Sequence, residues 1–245
     1  MWRMVHTGRR LPRLALIVFA LLTASCQSGP SLGDSPDLNV VCRAANGGVA
    51  PDCVADVTRL NGVLTEALKA LLSSEAAANN NLRSETGPVG GTGPTFHPRV
   101  IEGDLHYEAP IRLQEDKKAA NLHIIIDRWD IMPEGQSCLM SAEAVAEEKS
   151  KGTVVHRCDR TVDAAGNTIL VSDVSRPYGA NEFAKILARD FHVTAFRKDS
   201  AVITVSVETV VNTDPDRSKT GDLPTMLTLE QAIGLALNSG FRLSS

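Results

Sequence analysis

Aromatic residues make up 4% of this 245-residue chain, and one of its two tryptophans, Trp2, lies in the leading segment while the other is Trp129. So few stacking surfaces argue against a groove for single-stranded nucleic acid, which needs successive aromatic platforms. No His-Glu-x-x-His occurs, and no two histidines stand four residues apart, so the helical site of a zinc protease is excluded. The five cysteines never fall two to four residues apart, which removes the spacing of structural zinc sites. The glycines of residues 79–98 are not followed by Gly-Lys-Ser or Gly-Lys-Thr, so they do not form a phosphate loop. No Gly-x-Ser-x-Gly elbow is read in the folded body. Long apolar runs are missing too. The stretch from Leu14 to Leu22 is far below the roughly 20 residues that span a bilayer.

That short run has a different logic. Arg3, Arg9, Arg10 and Arg13 precede it without any acid, and Thr23, Ala24 and Ser25 follow it. A basic start, a short apolar centre and a small-residue exit are the requirements of a cleaved export signal, here residues 1–25. Arg9-Arg10 lacks the hydrophobic pair that a twin-arginine signal carries next, since Leu11 and Pro12 follow.

The residues Leu22, Thr23, Ala24, Ser25 and Cys26 resemble the lipobox of bacterial lipoproteins, with Thr23 where leucine is usual. The resemblance covers the signal alone. It implies that the thiol of Cys26 is acylated and becomes the first residue of the mature chain. Two or more acyl chains anchor firmly where one does so marginally. The expected place is the extracytoplasmic face of the cell membrane. The anchored tether, the short hairpins and the closing "LTLEQAIGLALNSGF" of the body also resemble envelope lipoproteins of high-GC Gram-positive bacteria.

Loss of residues 1–25 removes four basic residues and no acid, leaving 21 Lys and Arg against 29 Asp and Glu, a net charge of −8. An acidic body does not suit nucleic acid as a partner, nor lying flat on an anionic bilayer. Four cysteines then remain. Exported proteins meet oxidising conditions, and short loops close with least entropy, so Cys42–Cys53 and Cys138–Cys158 are the favoured pairings among three.

Residues 26–41, "CQSGPSLGDSPDLNVV", are small, polar and proline-bearing, and read as a tether of about 20 Å. Residues 42–78 read as a disulfide-capped helical segment, in which Val57, Leu60, Leu64, Leu68 and Leu71 form one apolar stripe and Asp52 is the expected N-cap. Residues 79–98 read as a linker, and residues 99–245 as an α+β domain. Its antiparallel sheet is expected to have five to six strands built from hairpins, packed with the N-terminal amphipathic helix and a C-terminal helix. "NLHIIIDRWDI" is apolar on both faces and reads as a central strand. One hairpin turns near Gly166-Asn167 and another near Lys198-Asp199-Ser200. Helices are expected over "SAEAVAEEKSK", over "ANEFAKILARDF" with Asn181 as cap and Phe183, Ile186 and Leu187 on one side, and after the Thr228/Gln231 capping box, with Gly240 as the stop.

Candidate chemistry is sparse. His97 falls in a loop, while His106, His123, His156 and His192 fall in predicted strands, where only tertiary folding could bring them together. Asp127 and Asp130 point to opposite faces of a strand, so an ion pair with Arg128 or a strand-end cap is expected of Asp127. Ser150-Lys151 and Ser218-Lys219 are adjacent pairs, not facing dyads. In "TDPDRSKTGD", Asp214, Asp216, Ser218 and Thr220 alternate as in a calcium loop, but Lys219 and Thr225 stand where glycine and the bidentate glutamate belong. Trp129, Tyr107 and Tyr178 are contact candidates, with a core role favoured for Trp129. No catalytic residue, metal ligand or cofactor is assigned. The expectation is a noncatalytic binding module with a protein or lipid partner in the envelope. The alternatives are a carrier of lipid or small apolar ligands, and an enzyme of unrecognised type.

Overall fold

The computed structural model describes residues 29–34, 37–42, 51–81, 92–101, 104–116, 118–128, 138, 140–177, 186–212 and 225–243. Cys26, Trp129, Asp130, Tyr178, Asn181, Phe183 and the 213–222 loop lie outside them. In chain order the elements are β1 (Ser31–Leu32), α1 (Leu38–Val41), α2 (Pro51–Leu71), β2 (Ala77–Asn80), β3 (His97–Ile101), β4 (Asp104–Glu115) and β5 (Lys118–Arg128). They continue with α3 (Ala142–Ser150), β6 (Val154–Val162), β7 (Thr168–Pro177), β8 (Ile186–Phe196), β9 (Ala201–Asn212) and α4 (Leu229–Ala236).

The fold is α+β with a largely antiparallel sheet, as expected, but the sheet has nine strands where five to six were expected. Its order is β1-β2-β4-β5-β9-β8-β7-β6, with β3 beside β2 on the same edge of β4. One additional strand arises because "RVIEGDLHYE", expected as a single strand, is split between β3 and β4, and two come from segments that lack a strand pattern. Residues 31–32 of the expected tether pair in parallel with Ala77 and Ala78. Ala77–Asn80, at the junction of the expected helical segment and linker, pairs with Ile111–Gln114. β1 is the outermost strand on this side and β2 lies between it and β4, each added where the strand before it offers an open ladder of N–H and C=O groups. Residues 186–191, expected as the second half of a helix, extend the expected strand of the second hairpin to form β8 instead. Bonding to β7 on one edge and β9 on the other satisfies its backbone groups and overrides the helical spacing of Ile186 and Leu187.

The core lies on one face of this sheet. Val57, Leu60, Leu64 and Leu68 of α2 are fully buried against Ile111, Leu122, Ile124, Val205 and their neighbours. Each leucine buried this way contributes about 2 kcal/mol. Leu71, expected in the same stripe, is half-buried and Leu72 takes the buried place. The helix begins at Pro51, so Asp52 lies in its first turn, not at the cap. Proline is suited to that first position, and the carboxylate favours the helix N-terminus. Phe96, within the expected linker, is fully buried and meets Phe241 edge-on with ring centroids 5.6 Å apart. α2 therefore belongs to the same core as the sheet.

α4 carries the expected capping box: Gln231 N–H donates to Thr228 Oγ1 at 3.2 Å, and Thr228 N–H donates to Gln231 Oε1 at 2.7 Å. Gly240 is four residues beyond the helix end, so it is not the stop. A Cβ there would meet Val63 at 2.7 Å, which means glycine is needed for the tail to approach α2. The two hairpin turns stand where expected, with Gly166 and Ser200 at positive φ. No helix among the described residues is long and apolar enough to cross a membrane.

Candidate functional site

The second face of the sheet is where polar side chains gather. On β5 the expectation of two apolar faces fails: every second residue from Ala120 to Ile126 is buried, and the alternate ones, including His123 and Ile125, are partly open. By register His123 lies beside Ser206, Ser206 beside His192, and His192 beside Ser172. These residues are on the face opposite α2 and α4. The same face carries His106 and Glu108 of β4 and Asp190 of β8.

Two clusters form there. At the β3–β4–β5 end, His106 Nδ1 donates to Asp127 Oδ1. Asp127, expected in an ion pair with Arg128 or as a strand-end cap, bonds across the strands to His106, one step beyond the Tyr107–Ile126 pair of the register. Glu108 is held by Arg99 Nη1 at 3.1 and 3.2 Å and lies 3.6 Å from His123 Nε2. His97 opens β3 in place of the expected loop, opposite Glu108, and burial lowers its pKa.

The other cluster occupies a cleft of about 470 Å³ between the sheet and α3. Met140 and Glu148 form one wall, and Ser172, Val174, Arg176, Asp190, His192, Thr194 and Thr204 form the floor and far side. Asp190 is 4% exposed. Its Oδ2 accepts from Arg176 Nε at 2.5 Å, while its Oδ1 is buried and has no hydrogen-bond partner among the described residues. Burial pushes the Asp190 carboxyl above the usual carboxylate range, against the pull of Arg176. His192 shares a hydrogen bond with Ser206 Oγ at 2.9 Å. Its ring keeps an exposed edge, yet the protein packed around it lowers its pKa, against the Asp190 charge. A ladder runs from Arg176 of this cluster across β9 and β5 to β4: Arg176 to Glu208 at 3.1 Å, Asn121 to Glu208 at 3.1 Å, and Arg112 to Asn121 at 2.9 Å.

α3 is set over this face by a covalent link. Cys138 and Cys158 are disulfide-bonded with Cα atoms 5.2 Å apart, and Cys42 and Cys53 likewise at 5.8 Å. Ser141 caps α3 by accepting from Ala144 N–H, and Thr153 Oγ1 donates to Glu148 Oε2 at 3.0 Å.

His192 and Ser206 have the contact of a base and a nucleophile, but among the described residues no carboxylate is hydrogen-bonded to His192 to orient it, as a triad requires. His156 shares its bond with Ser175 Oγ, away from the cleft residues. Ser150 and Lys151 do not form a dyad: Ser150 Oγ donates to the Glu147 carbonyl and Lys151 Nζ binds Glu147 and Glu148. Tyr107, a contact candidate, is 1% exposed and belongs to the core. A Gly-x-Ser-x-Gly spacing does occur, at Gly29–Gly33, outside the expected body. Ser31 sits there within β1, its N–H donating to the Ala76 carbonyl, and not on the strand-to-helix turn that exposes a nucleophile. Among the described residues no three His, Cys, Asp or Glu side chains converge as metal ligands. Asp190 and Arg176 escaped notice in the sequence; Asp190 fell within a segment whose spacing favoured a helix. No family model, curated protein or solved structure matches the chain.

Proposed function

We propose that this is an exported lipoprotein, held at the extracytoplasmic face of the membrane through acyl chains on Cys26, and that it works without catalysis as a binding module whose contact surface is the open face of the sheet. The observation that carries the reading is the asymmetry of the sheet. One face is sealed by α2 and α4, and the other presents ordered, mutually paired polar side chains around a cleft. Side chains held in place by cross-strand bonds lose little further entropy on binding, which favours recognition. The charged residues in the lining, Glu148, Arg176 and Asp190, support this reading over a carrier of apolar ligands, whose site would hold few charges.

The test places a photo-activated cross-linker at Thr204 on the open face and, separately, at Ala70 on α2, in cells producing the full chain. The expected result is a discrete adduct from Thr204, suppressed by Glu208→Lys, and none from Ala70. Equal adducts from both positions, or none from either, overturn the reading. Intact mass of the membrane-extracted protein reports the anchor: an acylated N-terminal Cys26 is expected, and an unmodified one removes that part of the proposal.

A further inference from the structure

Resting on the reading of the open face as a binding surface, the geometry points to a specific occupant of its cleft: we infer that the space between α3 and β7–β9 binds a primary ammonium group carried on a short aliphatic chain, with Asp190 as its acceptor.

Four features lead there. First, Asp190 is 4% exposed, and among the described residues none donates to its Oδ1. A buried carboxylate oxygen with no hydrogen-bond partner costs free energy that an incoming donor recovers. Second, the charge is one-sided. Asp190 and Glu148 line the cleft and Glu208 adjoins it; against these three acids stand Arg176, already bonded to Asp190 and Glu208, and Lys151, already bonded to Glu148 and Glu147. Third, the chemistry of the walls selects among cations. A divalent metal needs several converging oxygen or nitrogen ligands, and none converge among the described residues. A quaternary ammonium ion is held by aromatic faces and has no hydrogen to give Oδ1, and the described lining of the cleft has no aromatic residue. A primary ammonium supplies a compact charged N–H donor for Oδ1. Fourth, Val174 and Met140 provide an apolar wall for methylene groups, and about 470 Å³ exceeds the roughly 300 Å³ at which ligand sites begin.

Calorimetric titration of the full exported protein, extracted in mild detergent with both disulfides intact, tests the inference with 1,4-diaminobutane as probe. Its isostere 1,4-butanediol is the uncharged control, and a capped lysine peptide represents the same group on a polymer. The expected result is saturable one-to-one binding of the diamine and none of the diol. Binding of the lysine peptide as tightly as the free diamine assigns the site to a side chain of a larger partner; preference for the diamine assigns it to a free amine. Asp190→Asn weakens binding at least about tenfold, the worth of a hydrogen bond to a charged group. Glu230→Gln on α4 leaves it unchanged. Circular dichroism and melting temperature establish that each variant is folded.

Absence of diamine binding, equal binding of the diol, or full affinity in folded Asp190→Asn overturns the inference. If it fails while the Thr204 cross-link persists, the cleft assignment falls and the open-face reading stands. If amine binds and no cross-link forms, the cleft stands and the larger surface falls.

Discussion

Tyr107 donates its phenolic hydrogen to Asp56 Oδ2 at 3.2 Å, fastening β4 to α2 inside the core. The carboxylate is shared: its Oδ1 accepts from Arg59 Nη2 at 3.0 Å. Arg59 then donates to the carbonyls of Gly240 and Arg242 in the C-terminal tail. One buried acid thus ties the sheet and, through Arg59, the tail to the helix. Tyr107→Phe is expected to cost about 1–2 kcal/mol at pH 7, because Asp56 keeps Arg59 but loses a buried donor. Urea unfolding of the two proteins measures this. Burial, with Asp56 beside it, raises the Tyr107 pKa to about 12, above the 10.0 of an unperturbed tyrosine. A raised folded pKa gives stability that is complete below the unfolded value and lost as pH rises through the folded one. The gap between wild type and Tyr107→Phe should therefore hold up to pH 10 and close towards pH 12. A gap that stays constant to pH 12 would show that the phenol bond is not its source.

The stripe of α2 was legible because burial of one helix face imposes a 3.6-residue period that no other element competes with. The α4 box was legible for a local reason too, since Thr228 and Gln231 satisfy each other's backbone groups within one turn. The cleft was not. Asp190, Arg176 and Glu148 are brought together by the pairing of β8 with β7 and by a disulfide that swings α3 over the sheet. None of those relations has a sequence period. The strand histidines could be placed on strands, but which face each occupied depended on register, and a single-residue slip reverses it.

Leu64 sits at the middle of the stripe with no exposed surface. Leu64→Ala removes three buried carbon atoms beneath a rigid sheet that cannot collapse into the space. The expected loss is about 3 kcal/mol, within the range for buried leucine truncation. Chemical denaturation checks it. Val162→Ala, at a residue 63% exposed on β6, should change stability by less than about 0.5 kcal/mol in the same assay.

Asp190 should leave a pH signature whether or not a ligand is present. It is faced by Arg176 from β7, Glu208 from β9, Glu148 from α3 and His192 on its own strand. Its folded pKa is raised above the unperturbed 3.8, chiefly by burial. Its protonated form therefore contributes stability below about pH 3.8 that is lost as pH rises through the folded value. Asp190→Asn does not titrate, so its stability relative to wild type should improve from pH 3 towards neutrality. Urea midpoints taken at intervals across that range test the sign. A relative stability that worsens with rising pH would mean that the Arg176 ion pair outweighs burial.

The two disulfides should fail differently when removed. Cys42 and Cys53 are both part of the main core, so opening that loop frees chain that the whole fold must reorder. Loss of about 3 kcal/mol of global stability is expected for Cys42→Ser with Cys53→Ser. Cys138 is buried but lies outside that core, and α3 between the partners of the second disulfide has no buried residue of its own. Its attachment to β6 therefore depends on Cys138–Cys158 and the Thr153–Glu148 bond. Cys138→Ser with Cys158→Ser should release α3 locally. Amide hydrogen exchange across 142–150 would rise to that of an unprotected chain, while β5, β8 and β9 stay protected. Equal loss of protection in β9 would instead make α3 part of the global folding unit. Because Glu148 and Met140 form one wall of the cleft, local release also predicts that diamine affinity falls in this double variant and not in the Cys42/Cys53 one, measured under conditions where both remain folded.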